Sequence, residues 1–304
     1  MSAKKDAQEY KVICPLINFT IQIVPTGHPE FSHEEILQYS RRRQQELVEG
    51  IELYNGMKLR CVSKEDIEDL KTDSFLAPPH KAISPDMFVL EKYISSEDSD
   101  FSEIHNIMLN GVLALRLLKS GNVRGRSLFH ILLSEKRQLT ARSFEREPKF
   151  EFPGGAYILS FEDIPSLRKT LQKIQNIDRV KRKNLDLVFK RFQRTYDEGE
   201  DEDKLIDLMI AFEALFLRGM KGNEKIGQKI ASACSKLLGK NNDEIEEIGY
   251  FLRKAYSLRS SVVHGNEFRQ PIVLKGEEFW LEEFVLRLED YLREAIKKSL
   301  DWQA

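Results

Sequence analysis

Over residues 10–24 the chain reads YKVICPLINFTIQIV, an apolar run in which Phe19, Ile21 and Ile23 alternate with Thr20 and Gln22. β-Branched side chains with a two-residue period predict a half-buried strand there. A polar-rich stretch from His33 to about Glu49 predicts a helix, ended by Gly50 and the Asn55-Gly56 turn signal. A short strand is expected over residues 57–62, then a helix after Ser63. Residues 74–100 hold Pro78, Pro79, Pro85 and the acidic SSEDSD, the pattern of an irregular connection before a helix capped by Ser102. In that helix Ile104, Ile107, Met108, Val112 and Leu115 recur at three- and four-residue steps as far as about Lys119, and Gly121 follows. Residues 129–133 and 156–161 predict strands on either side of a basic stretch, and Ser160 or Asp163 opens a helix near Ile164.

After about Asn176 the period is helical throughout, with PIVL near Ile272 as the one candidate strand. A helix from Asp178 to about Tyr196 is basic on its outer face. The DEGEDED run that follows is a solvated break whose acids suit the start of the next helix through its dipole. Residues 204–217 are nearly apolar all round in their second half, which predicts a place in the middle of a bundle. Residues 224–238 are amphipathic and close at Gly239. Asn241 with Glu244 forms a capping-box pattern for a helix to about Val263, ended by Gly265. A last helix is expected from about Glu277 to Asp301, carrying Phe279, Phe284, Leu286, Leu288, Tyr291, Leu292 and Ile296.

The change of period divides the 304 residues into a mixed α/β N-terminal domain, 1–175, and an all-α helical bundle, 176–304, an α+β chain overall. The length fits two domains at about 150 residues each. A net charge of −2 gives no bulk attraction to polyanions, so nucleic-acid binding would need a local basic patch. Such clusters stand at Arg41, Arg42 and Arg43, at Arg124 and Arg126, at Lys136, Arg137, Arg142 and Arg146, and from Arg179 to Lys183; each is more often a solvated face than a site. Cys14, Cys61 and Cys234 are odd in number and unpaired in spacing, which argues against a disulfide framework or cysteine zinc site and for a reducing compartment. The polar amino terminus and the lack of a run of about 18 apolar residues predict a cytoplasmic protein with no membrane partner.

Chemistry concentrates in the helix that ends at Gly265. Ile245, Ile248, Leu252, Ala255 and Val262 form its apolar stripe, with Phe251 and Leu258 on the adjoining edge, and Arg259 falls in phase with it. An inward arginine is costly unless paired or facing a cleft, because guanidinium keeps its charge and its five donors need acceptors. Glu213 is the only charged residue between Met209 and Leu217 and needs a partner of its own. A buried Glu213–Arg259 ion pair would explain both without catalysis. His264 stands five residues after Arg259 at the helix end, a position where an imidazolium gains from the dipole and a side chain can turn into a cleft.

The string RSSVVHG, Arg259 to Gly265, fits the R-x4-6-H motif of the HEPN superfamily. The similarity spreads over residues 176–304 through the basic leading helix, DKLIDLMIAFEALF, KIGQKIASACSKLLG, KAYSLRSSVVHG and the last helix, and resembles the ApeA-like HEPN group. ALRLLKSG, residues 114–121, is similar to N-terminal segments of that group. The resemblance implies metal-independent RNA cleavage, without a cofactor, at a site formed between two bundles in a homodimer. It also implies a toxin or phage-defence role in which the N-terminal domain senses a trigger or selects the RNA; an antitoxin or phage trigger would then be a further partner. In this reading His264 takes or gives the proton of the 2'-hydroxyl attack, Arg259 holds two phosphate oxygens, and Glu213 orients Arg259, or His264 across the dimer. Products would be a 2',3'-cyclic phosphate and a 5'-hydroxyl. Many HEPN ribonucleases have Asn, Asp or His directly after the arginine, where this chain has Ser260, the candidate for positioning substrate.

No P-loop, dinucleotide-binding, zincin or α/β-hydrolase motif occurs, and His28, His33, His80, His105 and His130 lack metal-ligand spacing. Two other readings stay open: a silent HEPN bundle used for dimerisation or partner binding, and a nucleotide-binding bundle that holds phosphates without cutting them.

Overall fold

The computed structural model describes residues 8–23, 32–71, 86–95, 101–125, 127–135, 137–143, 155–218 and 225–302. The backbone forms two compact units, and among the described residues the break falls between Gln175 and Asn176. The first is the mixed α/β domain and the second is the helical bundle.

The first unit contains β1 (Glu9–Ile17), β2 (Phe19–Gln22), α1 (His33–Glu49), β3 (Ile51–Tyr54), β4 (Met57–Cys61), α2 (Lys64–Lys71), β5 (Phe88–Ser95), α3 (Phe101–Leu118), β6 (Arg124–Gly125), β7 (Ser127–Leu132), β8 (Arg137–Ser143), β9 (Tyr157–Ser160) and α4 (Ile164–Gln175). Its main sheet runs β3-β4-β5-β1-β7-β8 with β6 beside β1, and every pairing in it is antiparallel. β1 is central and buried from Tyr10 to Leu16 on both faces, so apart from Lys11 it reads as an apolar run rather than an alternation.

The single strand expected over residues 10–24 is two strands. Asn18 turns the chain with φ 56° and donates from Nδ2 to the Gly155 carbonyl at 2.8 Å, after which β2 leaves the main sheet and pairs in parallel with β9. Val24 lies outside the described residues. β5 occupies part of the expected irregular connection of residues 74–100; the rest of it, 74–85 and 96–100, also lies outside the described residues. The proline-rich and acidic flanks hide a strand whose backbone bonds come from β1 and β4, far away in sequence. β3 and β8 also emerge only with their partners. Ser102 lies inside α3 rather than at its cap.

The two faces of the sheet are covered differently. On one, α3 comes so close that a Cβ on Gly111 would lie 2.7 Å from Leu90 Cδ1 and 2.9 Å from Met57 Sδ. On the other, Lys11, Arg60 and Glu91 meet Asp66 and Asp69 of α2 in a buried ion network. Arg60 holds Asp66 at 2.6 Å and pairs with Glu91, while Lys11 reaches Asp66 at 3.1 Å and Asp69 at 3.2 Å.

The second unit contains α5 (Arg179–Arg194), α6 (Asp201–Phe216), α7 (Ile226–Leu238), α8 (Asn242–Val263), a ribbon of β10 (Ile272–Leu274) and β11 (Glu277–Phe279), and α9 (Leu281–Leu300). Asp178 caps α5 by accepting the Val180 and Lys181 N–H groups at 2.9 Å. Asn241 caps α8, but the Glu244 carboxylate accepts from the Lys240 N–H instead of closing the box on Asn241. The last helix begins at Leu281, since Glu277 to Phe279 pair with β10, and Leu286 is exposed. Phe251 of α8 stacks on Phe284 of α9 at 4.2 Å and meets Tyr291 edge-on at 5.3 Å. Arg293 is 3% exposed, pairs with Glu289 and Asp290, and lies over the Phe192 ring, while the Tyr196 hydroxyl donates to Glu289 at 2.7 Å; together these tie α9 to α5. Burial pushes the Cys234 thiol up to about 12, and all three cysteines are free. No helix among the described residues is long and apolar enough to cross a membrane.

Burial alone would raise the Asp66 carboxyl, but bonds from Arg60 and Ser63 and the charges of Arg60 and Lys11 outweigh it and hold the group well below the usual carboxylate range. A carboxyl depressed in the folded state contributes stability above its unfolded pKa of about 3.9 and loses it as pH falls through the folded value. The contribution is therefore flat from neutral pH down to about 5 and disappears in strong acid. Asp66→Ala should cost about 3–5 kcal/mol in urea unfolding at pH 7, with the deficit narrowing below about pH 4.

Candidate functional site

The last turns of α6 and α8 bring Glu213 and Arg259 toward each other. The first part of α6 is central, with Leu205, Leu208, Met209, Ala211 and Phe212 buried. Its final turn is not: Glu213, Ala214, Leu215 and Phe216 are all half-buried, so the expected mid-bundle position holds only as far as Phe212. On α8, Ile248, Leu252, Ala255, Phe251 and Leu258 are buried, while Ile245, Arg259 and Val262 are half-buried.

Arg259 Nη2 stands 3.9 Å from Glu213 Oε1, with the two side chains 25% and 29% exposed. That approach is an ion pair but too long for a hydrogen bond. Arg259 Nε is buried without a hydrogen-bond partner among the described residues. Arg43 and Arg191 also leave Nε unpaired, yet each anchors a terminal nitrogen on a carboxylate at 2.6 Å. Arg259 has no such anchor among the described residues. Its guanidinium lies 6.0 Å from the Tyr256 ring, and that ring packs on α7, where a Cβ on Gly227 would come within 2.8 Å of it. Tyr256 is therefore a packing residue that forms one wall beside the guanidinium.

His264 is exposed and is the C-cap residue of α8. Its N–H donates to the Ser260 carbonyl at 3.1 Å, and Gly265 follows with φ 69°, the left-handed conformation that ends a helix most easily at glycine. Arg259 and His264 are about 7.5 Å apart along the axis and about 140° apart around it. Ser260 and His264, four residues apart, share a face. The structure thus joins Arg259 to Glu213 and sets His264 with Ser260 on a different aspect of the helix end. No hydrogen bond or ion pair links the His264 side chain to the other three among the described residues.

The remaining sequence candidates are dispersed. Arg42 and Arg43 pair with Glu46, and Arg43 lies over Phe161 at 4.4 Å. Arg124 is buried and donates to Asn122. Burial, with His105 nearby, pushes the His130 pKa down. Arg126, Lys136, Arg146, His28 and His80, and the side chains of His33, Arg137 and Arg142, lie outside the described residues. Among the described residues, no cluster of three or more His, Cys, Asp or Glu side chains is arranged to hold a metal ion. A cavity of about 340 Å³ lies toward the start of α8, lined by Asp243, Glu246, Tyr250, Phe251, Glu277 and Arg287 among others, and it contains none of the four candidate residues.

Sequence reasoning did not pick out two features. The Gly227–Tyr256 contact spans α7 and α8, and the ion network of the first unit links residues as far apart as Lys11 and Asp69. Neither leaves a local signal. No protein-family model, curated protein or solved structure matches the chain.

Glu213→Gln should change stability by about 1 kcal/mol or less, because a long, partly exposed ion pair contributes little. Gly227→Ala should cost about 1–3 kcal/mol by forcing the Tyr256 ring aside. Urea titrations of the two variants, run in parallel, check both.

Proposed function

We propose that the protein is a metal-independent HEPN-type endoribonuclease, acting as a toxin or anti-phage effector, with a composite site between two copies of the helical unit. The similarity of RSSVVHG and its neighbouring bundle segments to that superfamily supports the reading. The observation that carries it is the state of Arg259. A permanently charged guanidinium sits on the inward phase of α8, one nitrogen is cut off from water with no acceptor among the described residues, and the nearest carboxylate among them is 3.9 Å away. A structural arginine would be expected to close that distance. An arginine left with unspent donors is disposed to take an external anion such as a phosphate.

The chemistry follows from the groups available. The ribose 2'-oxygen attacks the adjacent phosphorus, a 2'-O–P bond forms, and the P–5'-O bond breaks. A base removes the 2'-hydroxyl proton, an acid supplies one to the departing 5'-oxygen, and charge builds on the non-bridging oxygens in between. His264 is exposed at a helix end where it can exchange protons, and Arg259 offers a planar fork to two of those oxygens. Since the two stand about 140° apart on one helix, a pair of bundles supplies acid, base and cation to one phosphate more readily than one bundle does. Glu213 is a positioning residue for Arg259. Part-exposed Leu215, Phe216, Val262 and Val263 around the pair are apolar surface of the kind a second bundle would cover.

A second reading is a silent bundle that binds a partner or nucleotide through its faces. It takes support from the same geometry, because no hydrogen bond or ion pair joins the His264 side chain to the Arg259–Glu213 pair among the described residues.

Total RNA incubated in EDTA with wild type and His264→Ala separates the two readings, with growth arrest scored on induction. The ribonuclease reading expects RNA ending in 2',3'-cyclic phosphates from wild type and a loss of about 10²- to 10⁴-fold for His264→Ala. Arg259→Lys should lose roughly 10²- to 10³-fold, and DNA should remain intact. Equal behaviour of wild type and a folded His264→Ala, with and without phage infection, would sink it in favour of the silent bundle.

A further inference from the structure

The cations of α5 fall into two groups. Lys181 donates to the Leu300 and Trp302 carbonyls at 2.9 and 2.5 Å; Arg182 pairs with Asp186, Arg191 with Asp207, and Arg194 with Glu198 and Asp207. Lys181, Arg191 and Arg194 thereby tie α5 to other parts of the bundle, while the Arg182–Asp186 pair is local to α5. Arg179, Lys183 and Lys190 are exposed and have no carboxylate partner among the described residues. At 100° per residue these three fall within an arc of about 40° and span about 16 Å along the helix. Arg218 adds a fourth charge beside them, donating from Nη1 to the Lys183 carbonyl at 3.3 Å.

Two contacts fix how α5 runs against α6. Arg218 meets Lys183 near one end and Asp207 meets Arg191 toward the other, so the helices are antiparallel and Glu213 is level with about Leu187. The Glu213–Arg259 pair thus lies at a height between Lys183 and Lys190. Leu187, 46% exposed, lies between the two lysines along the axis and about 40–60° to one side of them, an apolar border to the face.

We propose that this face of α5, Arg179, Lys183 and Lys190 with Arg218, is a backbone track that holds a single nucleic-acid strand at the level of the candidate site along the bundle. The proposal rests on the ribonuclease reading and adds to it the surface that positions the substrate. The occupant follows from charge. Asp186, exposed on the same face, is already engaged by Arg182, so two copies of the face would oppose net positive charge; a second copy is disfavoured and a polyanion favoured. Contacts of this type go to phosphates and carry no base preference of their own, so any sequence selectivity must arise elsewhere in the chain.

The test uses full-length His264→Ala, which separates binding from cleavage, with two probes that the 2'-hydroxyl route cannot cut: a 2'-O-methyl RNA strand and a DNA strand of the same sequence. Affinities are measured by fluorescence anisotropy over a salt series. Adding Lys183→Gln and Lys190→Gln should weaken binding of both probes at least tenfold at low salt. It should also reduce the salt slope by about 1.4, for two phosphate contacts at about 0.7 each. Lys169→Glu, an exposed charge change on α4, should leave both quantities unchanged. If the parent binds and the lysine variant binds equally well, the track is wrong while the ribonuclease reading stands. Wild-type cleavage without parent binding to either probe likewise overturns the track and leaves the ribonuclease reading in place. Absence of both binding and cleavage removes the ribonuclease reading and the track with it. If the lysine changes alter sedimentation but not affinity, the face is a protein contact and the proposal is overturned.

Discussion

A guanidinium cannot shed its charge, so every arginine that this chain covers requires acceptors brought to it by the fold. Arg60 is held by Asp66 and Glu91, Arg116 donates to the Val123 carbonyl at 3.0 Å, and Arg293 is enclosed by Glu289, Asp290 and the Phe192 ring. In each case the acceptors come from a different element or turn and lock it in place. α2 is tied to the sheet through Arg60 and Lys11, and α9 to α5 through Arg293 and Tyr196. Arg259 departs from that rule, with a carboxylate near enough to attract it and too far to bond it.

That departure is local and has a cause in the helices on either side. Tyr256 packs against Gly227 of α7, with its ring 6.0 Å from the guanidinium. The last turn of α6 rises out of the core after Phe212, carrying Glu213 to a part-exposed position. Arg259 consequently sits at the edge of the apolar stripe, one side covered and one open. The burial that removes Nε from water also strengthens its attraction for any anion that reaches the open side.

Parts of this architecture follow directly from residue order. His33 to Glu49, with Gly50 behind it, is a helix because its start and stop signals are local, and the Ser32–Glu35 capping box forms entirely within four residues. Asp178, Asn241 and Gly239 act at helix ends for the same reason. β3, β5 and β8 carry weaker signals. A strand completes its backbone bonds on neighbours distant in sequence, and Pro-rich or charged flanks mask the short apolar cores of those segments. The ribbon of β10 and β11 shortened the last helix in the same way, since Glu277 and Phe279 suit a helix until Ile272 and Leu274 come alongside.

The same division runs through the candidate site. Residue order alone determined the two-part α+β organisation, the helical phase that carries Arg259 onto the inward side of α8, and the histidine at that helix's end, because period and capping are properties of neighbouring residues. Tertiary structure decided the 3.9 Å gap to Glu213, the exposure of the last turn of α6, the wall made by Tyr256, and which cations of α5 are tied into the bundle and which remain without carboxylates among the described residues. These depend on distances between side chains from separate helices, and the packing of one helix on another, unlike the period within either, is set only when the whole bundle closes.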